Sequence, residues 1–288
     1  GEEHLEAAHD SPCGQVDAGD RDKHAWCILR RRRQGCGCGW LLLRDLRADR
    51  IEVASARVSP GEKEAVRLIT SWADQNGMSD RVEVLGFVDG TGSLEWIREA
   101  GGRVINLLCK GSLRHLEKQL RKTPDEHISD ILDIVAMAGI NGMTVNIYLE
   151  DWSNGMLSSP GYVFRMVDGL AGKSIRRIML PDTLGILNPD QTYDFCAQMT
   201  ARYPEVHFDF HPHNDYDLSV ANVFSAVKAG AKGVHTTVNG LGERAGNAPL
   251  SSVVALLRDH LSADTGVNEY EITRVSRMVE KLSGIRIP

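Results

Sequence analysis

The sequence predicts an α/β protein of the (β/α)8 barrel class, a TIM barrel whose first strand is atypical or missing, and three observations carry that expectation. Short apolar and β-branched runs alternate with longer amphipathic stretches from residue 41 onward, and strand alternating with helix this often means a parallel sheet with crossover helices. The polar residues able to carry chemistry fall at the C-terminal ends of the apolar runs, where barrel enzymes hold their reactive groups. No Gly-x-Gly-x-x-Gly segment opens any strand-helix unit, which disfavours a dinucleotide-binding sheet.

Taken in order, residues 1–38 stand apart. Cys36, Cys38, the run Arg30 to Arg33 and the scattered His4, His9 and His24 follow neither helical nor strand periodicity. A second cysteine pair, which a zinc knuckle needs, is missing, and the arginine run is short. The segment is therefore expected to be a disordered or non-native leader, and residues 39–288 a single barrel domain. Within that domain strands are predicted at 50–55, 82–87, 104–108, 145–151, 178–183, 206–215 and 233–239. Helices are predicted at 61–75, 94–100, 123–138, 160–170, 189–202 and 218–229, with closing helices at 249–261 and 269–282. Ser59-Pro60, Thr123-Pro124 and Asn188-Pro189 supply start signals, each a capping side chain before proline and early acids. A closed barrel needs eight strands; the missing one is expected before the helix that begins near Trp40.

Composition narrows the function classes. A chain of 288 residues, 42% hydrophobic and 25% charged, can bury a large core. A net charge of −6 leaves no electrostatic footprint for nucleic acid, and no apolar run is long enough to span a bilayer. Six cysteines are too sparse for a disulfide framework, and Cys109 and Cys196 sit in apolar surroundings that suit reduced, buried thiols. With no basic start followed by an apolar segment, no secretory signal is expected, and a cytoplasmic setting follows.

The stretch 206–215, Val-His-Phe-Asp-Phe-His-Pro-His-Asn-Asp, carries the sharpest signal. His211 and His213 are two apart, so in an extended chain they leave the same face and converge on a divalent metal. The competing interpretation is a pair of hydrogen-bonded strand-end histidines. Asp215 ends the same strand, and Asp89, Lys110, Glu150, Asp151, Asp182, Thr183 and Asn239 end the others. Glu150 reads as a general acid/base or electrostatic partner, against a plain salt bridge with a neighbouring lysine or arginine. The last strand enters the glycine-rich loop 239–249, in which Asn247 offers an amide oxygen to a metal, while Glu243 and Arg244 read as a pair across the loop.

Together the His211-to-Asp215 segment, the Gly240-to-Asn247 loop, Tyr148-Leu149-Glu150-Asp151 and Leu180-Pro181-Asp182-Thr183-Leu184-Gly185 resemble the acetyl-CoA-dependent 2-oxo-acid condensing enzymes, the 2-isopropylmalate and citramalate synthases, over residues 41–288. Residues 50–59 and Lys110-Gly111-Ser112-Leu113 strengthen the likeness. The resemblance implies a Claisen condensation of acetyl-CoA with a 2-oxo acid in branched-chain amino-acid biosynthesis. A divalent cation (Mn, Zn or Mg) would polarise the keto group, and full-length members would be homodimers. It implies further that His211 and His213 are metal ligands with Asn247 at or beside the metal, that Glu150 assists at the substrate, and that Thr183 binds its carboxylate. Leu85, Leu108 and Tyr148 match positions enclosing the oxo-acid side chain. Two leucines and a tyrosine leave a short apolar pocket that favours pyruvate over 2-oxoisovalerate, by the ~1–3 kcal/mol that such a pocket extracts from a methylene.

Two departures from the family pattern set expectations of their own. The family opens on a strand carrying Leu-Arg-Asp-Gly-Glu, whose aspartate is a metal ligand and whose arginine polarises the oxo acid; this sequence has no such segment. Leu43-Arg44-Asp45 is expected in the helix before the first clear strand. A shifted reading frame in the leader would account for the loss, and sequencing the encoding DNA would test that. The C-terminal subdomain that supplies a histidine and a tyrosine near acetyl-CoA, and the regulatory domain, are also unmatched. Weak or absent activity is expected, with a non-catalytic metal- or oxo-acid-binding barrel as the alternative.

Overall fold

In the computed structural model, residue 39 and residues 41–286 are described; the expected leader, 1–38, lies outside them. Among the described residues seven strands run parallel in one curled sheet, in chain order. They are β1 Ile51–Ser55, β2 Val82–Phe87, β3 Val104–Lys110, β4 Thr144–Glu150, β5 Ile175–Asp182, β6 Phe208–Pro212 and β7 Gly233–Val234. Neighbours in sequence are neighbours in space throughout, as a (β/α)8 barrel requires, and the outer edges of β1 and β7 pair with no other described strand. The segment before β1 is the helical turn Leu41–Asp45, so Leu43-Arg44-Asp45 lies where the sequence placed it, outside any strand.

The crossover helices start where the local chemistry says they should. Ser59 Oγ accepts the Glu62 amide at 3.2 Å ahead of α1, Pro60–Gln75. The helix α2 is Gly92–Glu99. Thr123 and Glu126 form a reciprocal capping box on α3, Pro124–Ile140. The next two helices, α4 Trp152–Ser158 and α5 Pro160–Leu170, are separated only by Ser159. Asn188 and Gln191 cap α6, Pro189–Arg202, in the same reciprocal way. Each cap satisfies amides that a helix start leaves without partners. The remaining helices are α7 Ser219–Lys228, α8 Leu250–Leu261 and α9 Ile272–Ser283. The sequence missed α4 because it is only seven residues long and includes Ser153, Asn154, Gly155 and Ser158, weak helix formers.

Alternation along each strand sorts the side chains into two environments. One set, including Val84, Ile105, Leu107, Cys109, Ile147, Leu149, Ile178, Leu180, Phe208 and Phe210, packs with the helices in the main hydrophobic core. The other set faces the barrel axis and is polar at its lower end. Asn146 Nδ2 donates to Asn106 Oδ1 at 2.7 Å, and Asn106 Nδ2 donates to Glu83 Oε2 at 3.0 Å and to Glu52. Glu83 in turn pairs with Arg177, whose Nη1 stands 3.3 Å from Asp209 Oδ2. Arg50 closes the group at 3.7 Å from Glu83 and 3.6 Å from Asp209.

Glu52 is the uneasy member of this group. Burial pushes its carboxyl up to about 7, the Asn106 hydrogen bond offsetting part of that and the Glu83 charge adding to it. A carboxyl raised in the folded state holds its proton where the unfolded chain has lost it, so its contribution is intact below about pH 4.5 and is lost as pH rises through 7. Glu52→Gln is therefore expected to gain ~1–3 kcal/mol on the parent between pH 5 and pH 8. Urea midpoints at the two pH values check this; a constant difference would refute it.

Candidate active site and metal centre

The same alternation that puts Glu83, Asn106, Arg177 and Asp209 inside the barrel also carries Leu85, Leu108, Tyr148, Glu150, His211 and His213 to its inner face, nearer the C-terminal rim. Register aligns them: Leu108 lies opposite Tyr148, Lys110 opposite Glu150, and Pro181 opposite His211. Leu108 and Tyr148 thus lie one inward-facing position before Lys110 and Glu150, and Leu85 lies opposite Asn106.

Glu150 ends β4 as a carboxylate paired with Lys110 Nζ, so the salt-bridge interpretation and the functional one describe the same side chain. The chain leaves the strand at Asp151, which takes the left-handed conformation (φ 66°) that aspartate tolerates. Its amide donates to Thr183 Oγ1 at 2.8 Å, and its carboxylate accepts from Ser112 Oγ and Asn154 Nδ2, each at 2.7 Å. Because Thr183 Oγ1 accepts here, its own hydroxyl proton remains to be donated. Asp182 is committed to structure: its oxygens accept the Ile186 and Leu187 amides at 3.1 Å.

On β6 the His211 and His213 rings lie 5.2 Å apart. Burial, then the charges of His235 and His213, hold His211 well below the ordinary imidazole range, and burial lowers His213 to about 4. Both are therefore neutral at pH 7, the form that ligates a cation. His213 bridges to Asn247, and in these two adjacent residues the buried His213 Nδ1 and Asn247 Oδ1 find no hydrogen-bond partner. Two unsatisfied donor atoms, one imidazole nitrogen and one amide oxygen, fit a divalent metal of the borderline or hard kind. Among the described residues no three His, Cys, Asp or Glu side chains gather as a metal group.

The loop that delivers Asn247 depends on its glycines, Gly246 above all. Gly246 has φ 91°, and a Cβ there would come within 2.0 Å of the Gly240 carbonyl oxygen; only glycine allows that approach. Arg244 does more than pair across the loop. It holds Asp215 at 2.7 and 2.9 Å and the Thr183 carbonyl at 2.8 Å, joining the β5, β6 and β7 ends, with Glu243 at 3.3 Å.

The last predicted strand is corrected by the structure. Pairing stops at Val234, and after His235 donates its amide to Phe210 at 2.9 Å the chain turns so that Thr237 binds Ala248. Asn239, expected at the rim, instead exchanges hydrogen bonds with Ser276 on α9. Asp89 likewise serves structure, bound to Arg57 at 2.8 Å and to Ser93. The residue that sequence reasoning missed is His235. Its Nδ1 lies 2.7 Å from the Tyr148 hydroxyl and 3.3 Å from His211 Nδ1, and its Nε2 lies 3.3 Å from Asp209 Oδ2. Spacing held the clue to one member of this set, since Asp209 is two residues before His211.

Fold and site together define a parallel α/β sheet of the barrel class with acid, amide and imidazole groups at the C-terminal ends of its strands. The chain belongs to the HMGL-like family, whose model matches residues 40–279. It is 32% identical over 247 residues to the (R)-citramalate synthase of Methanocaldococcus jannaschii, covering 85% of this chain and 48% of that protein. The 2-isopropylmalate synthase of Sulfolobus acidocaldarius is 34% identical over 247 residues, covering 85% and 62%, and the homocitrate synthase of the same organism is 31% identical over 250 residues, covering 85% and 52%. The chain spans about half to three-fifths of the length of these relatives. In fold it resembles the hydroxymethylglutaryl-CoA lyase of Pseudomonas aeruginosa, with a TM-score of 0.68 at 18% identity over 90% of each chain. No described helix is long and apolar enough to cross a membrane.

Proposed function

We propose that this chain is the catalytic barrel of an acyltransferase that condenses acetyl-CoA with a 2-oxo acid, pyruvate being the substrate its pocket suits best. The observation that supports this is the meeting of Tyr148 and His211 edge to face at 5.6 Å inside the sheet, with Leu108 opposite Tyr148, Glu150 two residues further along β4 and His213 bridged to Asn247. Three relatives at 31–34% identity named as synthases of citramalate, isopropylmalate and homocitrate support the reaction class.

His211, His213 and Asn247 would hold a divalent cation, Mn, Zn or Mg, which when bound supplies Lewis-acid polarisation of a 2-oxo group. The chain's own residues bind and orient the oxo acid. Thr183 donates its hydroxyl proton to the substrate carboxylate. Glu150, fixed by Lys110, stands as the acid/base group at the substrate's reacting end. The Leu85, Leu108 and Tyr148 layer takes a methyl group and crowds an isopropyl group.

The absence of a Leu-Arg-Asp-Gly-Glu segment from the sequence favours, as a second reading, a barrel that binds metal and oxo acid without turnover. Incubating the chain with Mn2+, pyruvate and acetyl-CoA and following free CoA with a thiol reagent separates the two. CoA release that disappears in Glu150→Gln is the expected result for the acyltransferase. Pyruvate-dependent Mn2+ binding without release means the binding barrel, and neither activity nor binding would refute both.

A further inference from the structure

We propose that His235 is a positioning residue: it accepts the Nδ1 proton of His211, leaving Nε2 of His211 free for the metal, and fastens the Tyr148 hydroxyl at the pocket wall. This deepens the function proposed above and rests on His211 being a metal ligand.

The argument starts from Asp209. It is fully buried and has the guanidinium groups of Arg177 and Arg50 at 3.3 and 3.6 Å, so it is a carboxylate and can only accept. The two imidazole nitrogens that meet it, His207 Nε2 at 2.8 Å and His235 Nε2 at 3.3 Å, must then carry protons. In the proposed arrangement Nε2 carries the one ring proton of His235, and Nδ1 presents a lone pair. Two groups share that one lone pair as the arms of a three-centre hydrogen bond: the Tyr148 hydroxyl on the short arm at 2.7 Å and His211 Nδ1 on the long arm at 3.3 Å. Two bare nitrogens facing each other at 3.3 Å would repel, so His211 Nδ1 brings the proton. Its remaining nitrogen, Nε2, is then unprotonated, which is what a cation requires.

The rings are packed to hold this arrangement. His235 meets both Tyr148 and His211 edge to face, with centroids 5.5 and 5.3 Å apart, and Tyr148 meets His211 in the same way at 5.6 Å. Three aromatic side chains from β4, β6 and the end of β7 thus brace one another, and Asp209 anchors the set from below. A ligand's second nitrogen fixed by an outer partner is the usual means of orienting a metal-binding histidine, and loss of such a partner typically costs ~10–100-fold in metal affinity.

The tautomers can be read directly in the whole chain, free of metal, from long-range proton–nitrogen correlation spectra of 15N-histidine-labelled protein. The expected pattern is His211 protonated on Nδ1 alone and His235 on Nε2 alone. In His235→Ala, His211 should lose that preference, and Mn2+ affinity measured by calorimetry should fall ~10–100-fold. His235→Asn keeps an acceptor near the position of Nδ1, and is expected to restore the His211 tautomer and most of the Mn2+ affinity. His211 protonated on Nε2 in the parent, or an unchanged His211 tautomer and Mn2+ affinity in a folded His235→Ala, would overturn the proposal. Parent protein with the expected tautomers but no Mn2+ binding would support the hydrogen-bond assignment and overturn the metal reading of the site instead.

Discussion

Replacing His213 with alanine is expected to lower Mn2+ affinity by at least ~100-fold, more than the loss of an outer partner costs, because a donor atom itself is removed. The substitution is also expected to leave the fold standing. His213 sits at the rim beyond the last ladder pair of β6, its ring makes no hydrogen bond within the protein, and its backbone contacts to Asp182 and Asn247 do not need the imidazole. Calorimetric titration of parent and variant, with far-ultraviolet circular dichroism as the fold control, decides it. Equal affinities would remove His213 from the site. Acid adds a second readout. Burial lowers His213 to about 4, so protons should compete with Mn2+ at this residue only as pH approaches 4, rather than near the ordinary histidine value of about 6.5. A binding curve that collapses between pH 7 and 6 would contradict that.

Arg177→Met is expected to be among the most damaging single changes, at ~3–5 kcal/mol of folding stability. Arg177 is almost fully buried between Glu83 and Asp209. Removing it leaves two carboxylates inside the barrel with Arg50, at 3.6 and 3.7 Å, as the remaining guanidinium. Asp209 shows what is at stake. Burial alone would raise its pKa, yet hydrogen bonds from His207 and His235, with the Arg177 charge, hold it far below the usual carboxylate range. The cost should therefore be largest at neutral pH and shrink in acid, where the carboxylates can take up protons. Urea unfolding at pH 7 and pH 4.5 measures it; a loss below 1 kcal/mol at pH 7 would show that water enters and replaces the arginine.

How much of this was legible in the sequence depends on which face of a strand is considered. Runs such as Ile178-Met179-Leu180 announce a strand buried on both sides, and Ser59, Thr123 and Asn188 announce helix starts through chemistry local to three or four residues. The His211 and His213 pair was visible for the same reason, since period-two spacing is a local fact. Arg177 was not, because a charge one residue after Arg176 at the start of a strand looks like solvated surface; only Glu83 and Asp209, 94 and 32 residues away, make it interior. His235 was hidden in the same way. Its partners Tyr148 and Asp209 are 87 and 26 positions distant, and no pattern within its own segment distinguishes it from a strand histidine bound to water. Asn239 misled for the opposite reason: it stood at a plausible strand end, and a neighbouring helix claimed its side chain.

The charged interior also bears on the order in which this chain folds. Strands adjacent in the sheet are adjacent in sequence, so β-α-β units can zip one after another at modest loop-closure cost. The charges on the axis cannot follow that schedule. Glu83 on β2 must wait for Arg177, which arrives three strands later on β5, and Tyr148 must wait for His235, on the segment that follows β7. Until then the lower barrel holds carboxylates with only Arg50 and the Asn106 amide to meet them, and water must supply the remaining partners. Drying of the axis is therefore a late event, one that follows strand pairing, and a partly folded intermediate should be wet at its centre and dry beneath its helices.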